Sequence, residues 1–274
     1  MPASCVADLI EAFGLTTRRA IYLIGAGGKT SLMFGLAHEL AAGGRSVVTT
    51  TSTRIGYPSS AQCRAVLVGG DLDRLGPRLR VELRKHRHVT VVAPGPAADK
   101  VGGFGIAALD CLVESGVCDH LLVEADGAAG RSLKAHAAHE PVVSARADLV
   151  IAVIGVDCLG KPITGDYVHR AELFCRRHER RADDLVTPAD VAATFFHDEG
   201  YLAKVGKDTA VAVLINKVDG EPQAAGARAI EAALRAADRE GRIGVIARGA
   251  LGLRQACGTP LAPRGSESSS SCGR

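Results

Sequence analysis

Residues 20–31 read Ala20-Ile21-Tyr22-Leu23-Ile24-Gly25-Ala26-Gly27-Gly28-Lys29-Thr30-Ser31, an apolar run that stops at a glycine-rich turn with one lysine and two hydroxyls. A short, unbroken apolar run predicts a strand buried on both faces. Behind the turn, Met33, Leu36, Ala37 and Leu40 share one side of a helix that ends at Gly43-Gly44. Strand, glycine turn and helix in that order make an anion cradle. Glycines leave backbone N–H groups open to phosphate oxygens, and the helix presents its positive end to them. In such a loop Lys29 reaches the terminal phosphates and Thr30 ligates Mg²⁺, while Gly25, Ala26, Gly27, Gly28 and Ser31 complete the cradle. One position departs from G-x-x-x-x-G-K-[ST]. Leu23 stands where the first glycine belongs, so either the loop is two residues short or its turn begins later.

The alternation continues outward from this unit. Val6, Leu9, Ile10 and Phe13 have helical spacing before it. Strand-like runs follow at 46–51, 65–68, 89–93, 120–124, 149–154, 210–215 and 243–247, with helical patterns at 71–86, 105–115, 167–178, 188–197 and 221–239. The helix at 188 has a marked start, with Thr187 as cap, Pro188 in the first turn and Asp190 near the dipole. Apolar strands spaced by helices predict a three-layer, doubly wound α/β fold with a mainly parallel sheet, like that of P-loop NTPases. Residues 1–262 read as a single domain. Within it, the more charged segment 157–208 reads as a helical insertion over the sheet's edge, and the Ser-rich tail 263–274 as disordered.

Composition narrows the partners. Lys and Arg number 33 against 30 Asp and Glu, a net charge of +3, which demands neither nucleic acid nor an anionic membrane. Six Phe, four Tyr and no Trp argue against binding single strands through stacked bases. No run approaches the ~20 apolar residues of a spanning helix, and no signal-peptide layout opens the chain. The eight cysteines contain no C-x-x-C spacing, so the expected home is a reducing cytoplasm.

Two further strand ends carry chemistry. Leu121-Leu122-Val123-Glu124-Ala125-Asp126-Gly127 closes with two carboxylates and a glycine. A phosphate-transferring site needs an acid here to hold Mg²⁺, and Gly127 can offer its N–H to a γ-phosphate. Strand alternation lets only one of Glu124 and Asp126 face the metal directly, and the sequence does not choose between them. Arg131 and Lys134 follow on the same loop, either as γ-phosphate partners or as solvated cations. Thr50, Thr51, Ser52 and Thr53 occupy a switch-like position, and Lys100 sits in a glycine-rich turn. Late in the chain, Asn216-Lys217-Val218-Asp219 fits N-K-x-D at a strand end. There Asp219 can accept the N1 and N2 protons of guanine, a donor pair adenine lacks. The Lys217 stem can cover the purine face, and Asn216 can tie loops together. Ile246-Ala247-Arg248-Gly249 stands where a second base-contacting loop would lie. His136 and His139 lack a third ligand, and the basic runs 84–88 and 176–181 read as solvated helix faces.

Taken together, these segments resemble the YqeC-type selenium-dependent hydroxylase accessory proteins. The shared pattern runs from the glycine loop through Thr49-Thr50-Thr51, Val123-Glu124-Ala125-Asp126-Gly127 to Arg131, Lys134, Glu140-Pro141, Ile154-Gly155-Val156-Asp157, Val168-His169-Arg170 and Asn216-Lys217-Val218-Asp219. It spans residues 4 to about 250, with His136 and Ser52 as departures. The resemblance implies a role in maturing molybdenum hydroxylases that carry a labile selenium cofactor, with the client hydroxylase or other selenium-cofactor maturation proteins as partners. Glu124-x-x-Gly127 is also similar to the E-x-x-G of GTPases that assist metalloenzyme maturation.

The reading that joins these motifs is a Mg²⁺-dependent NTPase, GTP favoured over ATP, in which Lys29, Thr30, Glu124, Asp126 and Arg131 act on the phosphates. No attacking-water base is evident, so a partner or a homodimer would complete the site. Two other readings stand beside it. One is a transferase that phosphorylates a small molecule or pterin held by Thr51, Lys100 and the 157–170 loop. The other is a docking module that senses nucleotide without hydrolysing it, or has lost nucleotide, and acts by docking.

Overall fold

The computed structural model describes residues 2–3, 6–97 and 99–251. In chain order the first half holds β1 (Pro2–Ala3), α1 (Val6–Ala12), β2 (Ala20–Gly25), α2 (Lys29–Ala42), β3 (Val47–Thr51), β4 (Arg54–Gly56), β5 (Val66–Val68), α3 (Leu72–His86), β6 (His88–Ala97), β7 (Lys100–Gly102) and α4 (Ile106–Glu114). The second half holds β8 (His120–Glu124), β9 (Leu133–Lys134), β10 (Leu149–Gly155), β11 (Val168–His169), α5 (Ala171–His178), α6 (Pro188–Phe196), β12 (Ala210–Asn216), α7 (Glu221–Ala237) and β13 (Val245–Gly249). The tail from 263, Cys5, Cys257 and Cys272 lie outside the described residues.

Strands β2, β8 and β10 are buried at every residue, which explains why their sequences are apolar without alternation. They belong to one sheet in the order β1-β13-β12-β10-β2-β8-β3-β6, parallel throughout. Strand β5 runs parallel beside the first half of β6, and β7 with β4 extends the sheet antiparallel from its second half. On one face α1 and α2 bury Leu9, Phe13, Leu32 and Leu36 against Leu23, Ile151 and Leu214. On the other, α3, α4 and α7 bury Leu79, Leu109 and Ile230 against Ile24, Val123 and Val213. The fold is therefore three-layered, doubly wound α/β of the P-loop-NTPase-like kind.

Residues 156–209 differ from the expected edge insertion. Strands β10 and β12 are parallel neighbours over seven residue pairs, Leu149 with Ala210 through Gly155 with Asn216. Parallel neighbours cannot be joined at one end, so this segment is the crossover between them and must traverse a face of the sheet. It does so on the α3–α4–α7 side, where Phe174, Val191, Phe195 and Tyr201 join the core. It is also less helical than its sequence suggests, with only α5 and α6, of 8 and 9 residues. The start of α6 is a reciprocal cap, in which Thr187 accepts from the Asp190 N–H and Asp190 accepts from the Thr187 N–H. Another shift concerns Ile246–Gly249, which lies inside β13, so a loop there could begin only after Gly249. Among the described residues no helix is long and apolar enough to cross a membrane.

Because the crossover contributes core and not cover, its aromatics should matter to global stability. Phe195→Ala should lower unfolding free energy in urea by about 3–5 kcal/mol, whereas Val81→Ala on the exposed side of α3 should stay within about 0.5 kcal/mol.

Candidate functional site

Strand β2 runs through Leu23 to Gly25, and Leu23 pairs beside Glu124 of β8. The position of the missing glycine is thus regular strand, and the turn is confined to Gly25-Ala26-Gly27-Gly28 before α2 starts at Lys29. Ala26 N–H donates to Val153 O at 2.8 Å, holding the turn against β10. Gly27 has φ +88°, and a Cβ there would lie 2.3 Å from Gly155 N. Gly28 has φ +126°, with Asn216 Nδ2 only 2.4 Å from such a Cβ. Part of the glycine requirement therefore comes from neighbouring strands, independently of any ligand. Helix α2 has no side-chain cap at Gly28, so the amides of its first turn form an uncapped positive end.

At that end Lys29 is buried. Its Nζ donates to Gly25 O at 2.7 Å and lies 3.0 Å from Asp126 Oδ1 and 3.7 Å from Glu124 Oε1. Thr30 Oγ1 donates to Glu124 Oε2 at 2.7 Å. Lys29 and Thr30 at the start of α2 are thus brought together with Glu124 and Asp126 at and beyond the end of β8, the strand adjacent to β2. Burial opposes charge on Lys29, yet Asp126 and Glu124 outweigh it and hold its pKa above the ordinary value. Glu124 moves the other way, because burial raises it more than Lys29 and Thr30 lower it.

Asp126 is engaged from several directions. Its Oδ2 accepts from Gly25 N–H at 2.8 Å and from His136 Nε2, and Lys134 Nζ lies 3.6 Å away. Burial alone would raise its pKa, but Lys29, the His136 hydrogen bond and Lys134 hold it well below the carboxylate range. Lys134 in turn pairs with Glu140 Oε2 at 2.7 Å and donates to Gly127 O, and Arg170 reaches the same Glu140 oxygen at 2.6 Å. Burial, the largest influence, pulls both Lys134 and His136 below their ordinary values. Glu140 resists burial through Arg170 and Lys134 and falls to about 2. His136 edges against the Tyr201 ring at 4.6 Å, and Arg177 donates to its carbonyl. Lys134 is therefore neither a solvated cation nor a free phosphate partner. His136 and Glu140, to which the sequence reading gives no role in the site, belong to the same buried network. Their spacing held the signal, since Lys134 and His136, two apart in an extended segment, face the same side.

Other sequence candidates fall elsewhere. Arg131 donates from Nε to Gly165 O at 2.6 Å and from Nη1 to Ala129 O, which ties it to the crossover segment. Asn216 Nδ2 donates to Gly27 O at 2.8 Å, while its Oδ1 accepts from Leu251 N–H. Lys217 Nζ is held by Ser132 Oγ at 2.7 Å and Asp157 at 2.8 Å. Asp219 is exposed and pairs with none of the described residues. Thr50 and Thr51 are fully buried in β3, and Thr51 Oγ1 donates to Glu124 O. Lys100 is exposed at the start of β7. His139 is exposed, and no group of three or more His, Cys, Asp or Glu among the described residues could hold a metal. The basic runs are not uniformly solvated, since His88 is buried against Thr49 and Arg177 pairs with Glu199.

A depressed carboxylate contributes stability above its unfolded pKa and loses it as pH falls through the folded one. Urea unfolding should therefore show stability holding down to about pH 4.5, the ordinary value for Glu140, and falling toward pH 2. Glu140→Gln should flatten that acid limb and cost about 3 kcal/mol at pH 7, because Lys134 and Arg170 lose their shared counter-charge.

Comparison with known proteins places the chain. Hydrogenase maturation factor HypB from Archaeoglobus fulgidus aligns over 91% of this chain and 89% of its own, at 12% identity and TM-score 0.35. HypB from Helicobacter pylori, in complex with nickel, aligns over 88% and 84%, at 13% identity and TM-score 0.34. Likeness at those scores carries no argument about this chain. The sequence matches are stronger. Uncharacterized protein YqeC of Escherichia coli strain K12 is 34% identical over 209 residues, 74% of this chain and 77% of that protein. Residues 21–172, from the phosphate-loop strand to the first turn of α5, match the family described as YqeC protein, and the chain belongs to that family.

Proposed function

We propose that the chain is a Mg²⁺-dependent nucleoside-triphosphate-binding protein, GTP preferred, that hydrolyses its nucleotide slowly and serves as an accessory factor in maturing selenium-dependent molybdenum hydroxylases. The carrying observation is the contact of Thr30 Oγ1 with Glu124 Oε2 at 2.7 Å, beside Lys29 and at the uncapped start of α2. A hydroxyl and a carboxylate oxygen are hard donors suited to Mg²⁺, which draws its remaining ligands from water and phosphate. Asp126 is committed to Gly25, His136 and the two lysines, so the reading gives the metal to Thr30 and Glu124. Bound Mg²⁺ would neutralise charge on the β- and γ-phosphates.

In this reading Lys29 exchanges Gly25 O and its carboxylate partners for phosphate oxygens, and the first-turn amides of α2 receive the same anion. Gly127 sits three residues beyond the strand end, where its N–H can reach a γ-phosphate. Asp126 and Glu140 are both engaged by cations, so neither is a free base for water, which supports slow turnover. A client, or a second copy of the chain, would complete the site. Preference for GTP rests on Asp219, exposed and unpaired among the described residues, beyond Asn216, which is bonded to the phosphate loop. The selenium-hydroxylase client rests on the resemblance of the motifs. One observation favours the docking module as a second reading, namely that Lys29 already has its charge satisfied within the protein.

Calorimetric titration with GTP and ATP, each with and without Mg²⁺, tests these readings. GTP with Mg²⁺ should bind at least about tenfold tighter than ATP, and Lys29→Ala should weaken it by about a hundredfold. Asp219→Asn should shift preference toward xanthosine triphosphate, because the amide offers one donor and one acceptor. ATP preferred would remove the base assignment and leave the phosphate loop. Folded protein that binds neither nucleotide would leave the docking module.

A further inference from the structure

A second concavity, of about 540 Å³, lies between the segment that follows β8 and the first turns of α5. That volume is within the range of small-molecule sites. It opens among connections leaving the carboxyl ends of β8 and β10, the side of a parallel sheet on which ligands bind. Its walls hold three arginines, Arg131, Arg170 and Arg176, against one carboxylate, Glu172. Arg170 is held by Glu140 and by Ala135 O, and Arg131 by Gly165 O and Ala129 O, so both guanidinium groups are fixed in place. Arg176 is exposed and pairs with none of the described residues, Glu172 included, although that residue stands four earlier on the same helix. Ala129, Ala171 and Leu173 supply apolar lining. The start of α5 adds its amides, since Arg170 at the N-cap position provides no side-chain cap. His169, on the same wall, is brought to about 4 by burial first and then by Arg170 and Lys134, in keeping with a positive local potential.

We propose that this cavity is a second ligand site, separate from the nucleotide site, for a small organic oxyanion whose phosphate or carboxylate is taken by Arg131 and Arg176 while its apolar body lies on Leu173 and the two alanines. Guanidinium forks suit such oxyanions bidentately: that of Arg176 is unpartnered among the described residues, and Arg131, whose Nε and Nη1 hold Gly165 O and Ala129 O, keeps Nη2 for the ligand. This use absorbs Arg131, which points to Gly165 and not into the phosphate loop. Because Ala129 and Arg131 directly follow Gly127, the ligand would sit beside the segment nearest the nucleotide's terminal phosphate.

The test is calorimetric titration of the protein, Lys29 retained, with phenyl phosphate and with benzoate, binding in this cavity being told from binding at the glycine-rich loop by its response to the cavity substitutions. Saturable binding of either is expected, and whichever binds tighter identifies the anionic group. Arg176→Ala and Arg131→Ala should each weaken binding about tenfold, and Glu172→Gln should tighten it severalfold by removing the lone opposing charge. Tightening is an effect that damage to the fold would not produce, and thermal unfolding of Arg176→Ala should match its parent. No saturable binding of either probe, or binding indifferent to all three substitutions, would overturn the proposal. Its outcome is separable from the nucleotide reading, which is measured by titration with GTP and by Lys29→Ala, whereas this one is read from the Arg176 and Glu172 variants.

Discussion

Asp126 is the group on which the rest of the site depends. A carboxylate wholly removed from water is tolerable only when its charge is matched and its oxygens are bonded. Here the matching comes from distant parts of the chain, with Lys29 at the start of α2, the Gly25 amide at the end of β2, and Lys134 and His136 beyond β8. Glycine-rich turn, acid strand and following loop are therefore held in register by one buried charge. Removing Asp126 would leave Lys29 with Glu124 and Lys134 with Glu140 as remaining counter-charges, and would cut the link between the two pairs.

The network extends outward in balance. Lys29, Lys134 and Arg170 face Glu124, Asp126 and Glu140, and His136 remains neutral under the dominant effect of burial. Arg170 belongs to the crossover between β10 and β12, and Tyr201 from the same crossover packs on His136. The crossover is thus joined to the acid cluster both by ion pairing and by ring contact. A change in the pairing of Lys29 has a physical route to α5 and to the arginine-lined cavity beside it.

Much of the fold was legible because its signals are local. Unbroken apolar runs such as Leu149 to Ile154, glycines closing helices, and the Thr187-Pro188-Asp190 start each follow from nearest-neighbour physics. The crossover was misplaced because parallel pairing of β10 with β12 is a long-range fact that no window of sequence contains. In the candidate site, Lys29, Thr30, Glu124 and Asp126 carried recognisable spacing. For the partners of Asp126 the trace was fainter, an interval of two between Lys134 and His136 that carries no ionic meaning until the tertiary fold buries both. Arg131 was assigned by proximity in sequence to Gly127, whereas its donors are directed to Gly165 across the crossover.

The hydrogen bond from Asn216 to Gly27 O has a metric consequence. It fastens the end of β12 to the turn before α2, and Leu251 closes on Asn216 from the other side. The spacing between the end of β12 and the head of α2 is consequently set when the chain folds. Any molecule that touches both ends meets a gauge of set length, and a separation set in advance lowers the cost of ordering it. Discrimination in such a site works by measurement along the ligand as much as by chemistry at either end.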